Sequence, residues 1–147
     1  MNDEQISVNG IISEILEDFE DRIEEKQITV TNDAEDFMFI GNQTLIRIML
    51  NNLILNAIKY NVQKGSITIK STVASEHYNL NISDTGIGMT EVQQTKIFER
   101  FTRINIEQDG QGLGLAIVDS IANFHHIDIK VTSEVAVGTT FSIQFPV

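Results

Sequence analysis

The chain has 147 residues, a net charge of −11 and no cysteine. That length suits one domain spanning residues 1–147, and 41% hydrophobic with 21% charged residues is a globular balance, so intrinsic disorder is excluded. Disulfides and thiolate chemistry are excluded as well, no apolar run is long enough to cross a membrane, and none reads as a secretory leader.

The charge is uneven. Residues 1–36 carry 12 acidic and 2 basic side chains, whereas the remaining residues hold 9 acidic and 8 basic. Glu14, Glu17, Asp18, Asp21, Glu24 and Glu25 are interspersed with Ile11, Ile12, Ile15, Leu16, Phe19 and Ile23, whose spacing predicts one amphipathic helix with a buried stripe and a solvated acidic face. Residues 28–31 and 37–40 read as strands, with Asn32 and Asp33 supplying turn chemistry between them. Gly41 and Asn42 open a second helix that runs to about Tyr60.

Residues 66–74 and 78–83 alternate as two strands around a loop near Glu76 and His77. A helix is predicted over 90–100, then a polar loop without periodicity over 102–111, a helix over 112–125, and closing strands at 127–132 and 139–145. Strands and helices interleave without regular βαβ spacing, which predicts an α+β fold with a mixed sheet covered on one face by helices. The near-neutral second part could meet an anionic ligand without strong repulsion. A charge of −11 would argue against nucleic acid only if it were spread evenly, which it is not; no nucleic-acid partner is expected.

Several residue sets stand out. Asn52, Asn56, Lys59 and Tyr60 lie at i, i+4, i+7 and i+8, placing two amides, an ammonium and a phenol on one face of an otherwise apolar helix. Polar groups there need partners, and a metal-bound triphosphate would supply them. Asp84 ends a strand and precedes Thr85-Gly86-Ile87-Gly88-Met89, so its carboxylate can enter a pocket while the backbone turns behind it. Gly110-Gln111-Gly112-Leu113-Gly114-Leu115 leads into a helix, an arrangement that aims amides at phosphates. It comes too late in the chain for a dinucleotide fingerprint and lacks that motif's βαβ unit. Arg100 and Arg103 bracket the start of the polar loop and can neutralise charge on a transferring phosphoryl group. Thr139 shares strand parity with Phe141, Ile143 and Phe145, which turns its hydroxyl inward.

In this order the helix face and the two glycine motifs resemble the N, G1 and G2 boxes of the catalytic, ATP-binding domain of sensor histidine kinases. That domain shares its nucleotide site with type II topoisomerases, heat-shock chaperone ATPases and mismatch-repair ATPases. Ile97-Phe98-Glu99-Arg100-Phe101 is similar to the family's F box, and Gly138-Thr139-Thr140-Phe141 to its closing glycine motif. The resemblance implies a two-layer α/β sandwich, the Bergerat fold, with about five strands and three main helices on one face. It implies ATP and Mg²⁺ as ligands, with Asn56 on the metal and Asn52 orienting the hydrated ion. By the same resemblance Lys59 reaches the phosphates, Tyr60 covers the nucleotide edge, and Asp84 accepts from the adenine amine with Thr139 nearby. Gly86 and Gly88 shape the adenine pocket, and Gly110, Gly112, Leu113 and Gly114 form the lid.

Hydrolytic members of the superfamily carry a glutamate four residues before the metal asparagine as base for water; an amide cannot serve, so Asn52 points to phosphoryl transfer. The implied partners are a histidine-containing dimerisation domain of the same kinase and a response-regulator receiver domain. The implied location is cytoplasmic, with no membrane contact by the domain itself, even where the parent kinase is anchored in the inner membrane. An anti-sigma factor serine kinase is the alternative, although such proteins normally have the glutamate that Asn52 replaces. Asp109 stands where the family usually has glycine, and His126 and Ile127 replace a common glycine pair, which predicts a different turn after His125. His77, His125 and His126 lack a phosphoacceptor setting and read as structural or surface residues.

Overall fold

The computed structural model describes residues 4–74, 76–96 and 111–146. Along the chain run β1 (Glu4–Ser7), α1 (Val8–Asp18), α2 (Glu20–Glu25), β2 (Thr29–Asn32), β3 (Met38–Gly41), α3 (Gln43–Lys59), β4 (Ser66–Val73) and β5 (His77–Asp84). They are followed by α4 (Glu91–Lys96), α5 (Gln111–Phe124), β6 (Asp128–Glu134) and β7 (Gly138–Pro146).

The main sheet has five strands in the order β2-β4-β5-β7-β6. Only β2 and β4 pair in parallel; the other pairs are antiparallel. Strict alternation buries one face: Ile67 and Ile69 on β4, Tyr78, Leu80 and Ile82 on β5, and Phe141, Ile143 and Phe145 on β7 are all nearly inaccessible. Helices α1, α3 and α5 cover this face, with α3 against β5 and between the other two. The opposite face carries Thr68, Lys70, Asn81, Ser83 and Thr140 around an open polar cleft. This is the α+β sandwich that the alternation predicts.

Three features differ from the sequence-based expectation. A first strand, β1, pairs antiparallel with β3 in a separate two-stranded sheet. The acidic helix is two helices, divided at Phe19 (φ −97°, ψ 11°). Helix α1 buries Val8, Ile11, Ile12 and Ile15, whereas α2 has no fully buried residue. Finally, β2 and β3 do not pair with one another. Asn32 does supply the turn chemistry, its Oδ1 accepting from the Ala34 amide at 3.2 Å, but the chain then crosses to a different sheet.

Helix α3 is anchored at its start by Asn42, whose Oδ1 accepts from the Leu45 amide at 3.0 Å. The Asn42 amide itself donates to Nε2 of buried His125 at 3.1 Å. Because Nε2 accepts there, the ring proton sits on Nδ1, which donates to the Ile121 carbonyl at 2.9 Å. One neutral imidazole therefore joins the end of α5 to the start of α3. The turn that follows has His126 at φ +60°, a left-handed residue where the family's glycine would be free of strain.

Gly138 opens β7 at φ +145°, and a Cβ there would lie 2.0 Å from the Asp84 carbonyl oxygen. Gly138→Ala should therefore cost at least about 1–3 kcal/mol from the backbone conformation alone, with overlap adding to it. Urea unfolding of the parent and variant measures this, and equal midpoints would contradict it.

Candidate functional site

The polar face of α3 exists because its other face is committed. Met49, Leu50, Leu53, Ile54, Ala57 and Ile58 are buried, which turns Asn52 and Asn56 to half-exposed positions and Lys59 to solvent. Asn52 Nδ2 donates to the carbonyl of Ile48, one turn back, at 2.9 Å. The side chain of Asn56 makes no hydrogen bond among the described residues. Tyr60 caps the helix, its amide donating to the Asn56 carbonyl at 3.1 Å. Partial burial pushes the Tyr60 phenol above its ordinary range, so it stays neutral at pH 7.

The Tyr60 carbonyl then accepts from the Ile87 amide at 3.0 Å, tying the end of α3 to the loop after β5. Gly86 is needed at that crossing: a Cβ would come within 2.2 Å of the Tyr60 oxygen. Gly88, at φ +71°, lies equally tight against the Glu134 carbonyl, 2.0 Å from where a Cβ would stand. Both glycines are thus accounted for by the approach of protein backbone, and they shape the loop on which a ligand would rest.

Asp84 ends β5 opposite Ile67 on one side and Thr139 on the other. Its Oδ1 accepts from the Gly86 amide at 2.8 Å and the Thr139 amide at 3.2 Å. Among the described residues no donor is bonded to Oδ2. Burial raises this carboxyl from 3.8 to about 6, the two amides only partly opposing it. A buried carboxylate with one oxygen clamped and one open suits a ligand that donates a hydrogen bond, such as an exocyclic amine.

Sequence reasoning missed the residues that hold this loop. Buried Asn61 donates through Nδ2 to the Ser66 carbonyl at 3.0 Å, and its Oδ1 accepts from the Thr85 hydroxyl at 3.0 Å. On the other side, Ser133 Oγ accepts from the Met89 amide at 2.8 Å and lies 2.8 Å from Thr139 Oγ1. Gln94 Nε2 donates to the carbonyls of Met89 and Ser133, at 3.1 and 2.9 Å. Asn61 and Thr85 adjoin the motifs and were open to suspicion; Ser133 and Gln94 carry no local signal.

Asn52, Asn56 and Lys59 thus lie on α3, Tyr60 at its end is bonded to Ile87 between Gly86 and Gly88, and Asp84 is bonded to the amides of Gly86 and Thr139. Gly112, Leu113 and Gly114 fall in the first turn of α5. Arg100, Arg103, Gly110 and the motif at 97–101 lie outside the described residues, as do residues 102–110 of the expected loop.

Residues 41–147 match the model of a family described as histidine kinase-, DNA gyrase B-, and HSP90-like ATPase. The chain is 36% identical over 143 residues to the heme sensor protein HssS of Staphylococcus saprophyticus, covering 97% of this chain and 31% of that protein. It is similar in structure to the mycobacterial sensor histidine kinase MprB, with a TM-score of 0.87 at 25% identity over 97% of each chain. The catalytic domain of histidine kinase ThkA superposes with a TM-score of 0.85 at 28% identity over 99% of this chain and 98% of that one. The chain belongs to the histidine kinase-, DNA gyrase B- and HSP90-like ATPase family. Within it, the chain is an ATP-binding catalytic domain of the sensor histidine kinase type, about a third of the length of its curated relative.

The raised Asp84 carboxyl has a stability consequence. The folded state holds this proton more tightly than the unfolded chain, so ionising it destabilises the fold, a penalty fully present above about pH 6 and absent below about pH 4. Asp84→Asn should therefore be more stable than the parent at pH 7, with the difference closing as pH falls to 4. Paired urea unfolding at the two pH values checks this; a constant difference would contradict it.

Proposed function

We propose that the domain binds ATP with Mg²⁺ and transfers the γ-phosphoryl group to a histidine on a separate dimerisation domain of the same kinase, for passage to a response-regulator receiver domain. The observation that carries transfer over hydrolysis is Asn52. Its amide is bonded to its own helix and has no titratable group, so this position offers no base to deprotonate water. That same residue and the sensor-kinase relatives leave the serine-kinase alternative without support.

Asp84 would recognise the adenine amine through Oδ2, with Thr139 at its side, and Tyr60 would cover the base. Asn56, half-buried with an unbonded amide oxygen, suits an ion that takes oxygen ligands, and Asn52 would orient waters around it. That ion, when bound, neutralises phosphate charge. Lys59 would reach the phosphates, Gly110, Gly112, Leu113 and Gly114 would close over them, and Arg100 and Arg103 would meet charge developing on the transferred group. The acceptor must come from elsewhere: His125 is buried with both ring nitrogens bonded, and neither His77 nor His126 has an acceptor setting. Among the described residues no helix is long and apolar enough to cross a membrane, and use of ATP argues for the cytoplasmic side.

Two outcomes are expected. Asp84→Asn should weaken ATP binding by about 1–3 kcal/mol and erase preference over GTP, because guanine sets a keto oxygen against the carboxylate. Calorimetry with both nucleotides is the check, and undiminished ATP affinity would remove Asp84 from this role. Incubated with γ-labelled ATP, the chain alone should stay unlabelled, while the parent kinase's dimerisation domain added in trans should gain acid-labile, base-stable label. Rapid phosphate release without an acceptor would defeat the argument from Asn52.

A further inference from the structure

Lys26 follows α2 and is half-buried. Its ammonium donates to three backbone carbonyls: Ile58 at 3.0 Å, Lys59 at 2.8 Å and Asn61 at 3.2 Å. All three of its protons are therefore used on the carbonyl end of α3. Among the described residues no carboxylate pairs with it, the one ion pair being Arg47 with Glu14. The backbone locks the lysine in place, since the Lys64 amide donates to the Lys26 carbonyl at 2.8 Å and Gln63 Nε2 to that of Glu25 at 3.3 Å.

This placement answers an electrostatic difficulty. The carbonyl end of a helix carries about half a negative charge, and phosphates ordinarily bind at the opposite, amide end. The last turns of α3 nevertheless bear Asn56, Lys59 and Tyr60, so on the nucleotide reading above a polyanion lies beside the wrong end of a helix. Lys59 points to solvent and can meet the ligand directly. The carbonyls behind it need a second cation.

We propose that Lys26 is a positioning residue for the phosphate end of the nucleotide site, its ammonium cancelling the carbonyl charge of α3 so that a polyanion can rest against that turn. It acts through the helix end and needs no contact with the ligand. The effect is electrostatic, so it should grow with the ligand's charge; a purely structural cap would affect every ligand alike, because the same turn holds Tyr60 and, through it, Gly86 and Ile87.

The test is calorimetry on the full chain with ATP, ADP and adenosine in the presence of magnesium. Lys26→Gln keeps two donors and removes the charge. It should weaken ATP binding about five-fold and ADP less, leave adenosine within about two-fold, and lose its effect in high salt, while Lys26→Arg should behave as the parent. Equal losses for adenosine and ATP, or no loss, would overturn the proposal. If Lys26→Gln does not fold, the parent decides: an ATP-to-adenosine affinity ratio that falls in high salt in the parent but not in Lys26→Met supports the electrostatic role, and equal salt dependence in the two refutes it. Failure of the parent to bind ATP would overturn the nucleotide reading and this inference with it, whereas normal parental binding with no selective loss overturns this inference alone.

Discussion

Everything in this domain depends on α3 having two incompatible faces. Ile46, Met49, Leu50, Leu53 and Ile54 are completely buried between the sheet, α1 and α5, and burying one such side chain stabilises the fold by about 1.5–3 kcal/mol. The helix can therefore neither rotate nor slide without exposing that stripe. Asn52, Asn56 and Lys59, at positions fixed relative to the stripe, inherit its rigidity. The interaction that extends this to the rest of the site is small: the Tyr60 carbonyl accepts from the Ile87 amide at 3.0 Å, so the loop carrying Gly86 and Gly88 is held to a helix that cannot move. Asp84, at the end of β5, is fixed by strand pairing on both sides.

Much of this was legible because each site residue lies next to a strong local pattern. The alternation of β5 places Asp84 at its end, and that of β7 turns Thr139 inward without any knowledge of the neighbouring strands. What could not be read depends on long-range pairing. The strand at Glu4–Ser7 is short and becomes a strand only because β3 offers it a partner. Helix α2 keeps the periodic pattern of α1, yet the sequence carries no signal that the chain would bend at Phe19. Ser133 and Gln94 belong to the same class. A serine in a strand and a glutamine in a short helix look ordinary until the fold brings Ser133 to Met89 and to Gln94, 44 and 39 residues away in sequence.

Charge adds a second layer. Seven of the twelve acidic residues in the first quarter of the chain sit on α1 and α2, and Lys26, just after α2, is bonded not to a carboxylate but to the backbone at the end of α3. An ammonium paired with a carboxylate would be electrically silent at the helix end. Bonded to carbonyls, it keeps its full charge where the helix is negative.

The hydroxyl network around Ser133 bears on what the proposed adenine pocket can accept. Ser133 Oγ has one proton, and the Gly138 carbonyl at 3.0 Å can only accept it. The oxygen's remaining capacity receives the Met89 amide and, at 2.8 Å, the Thr139 hydroxyl, which must then be the donor. Thr139 is left presenting lone pairs, beside a carboxylate whose free oxygen is also an acceptor. Each of these two acceptors calls for a donor on a ligand, such as an exocyclic amine, and a keto oxygen set against either would be repelled. On the proposed reading, a serine on β6 that need not touch the nucleotide thus sets the polarity of the Thr139 hydroxyl beside Asp84.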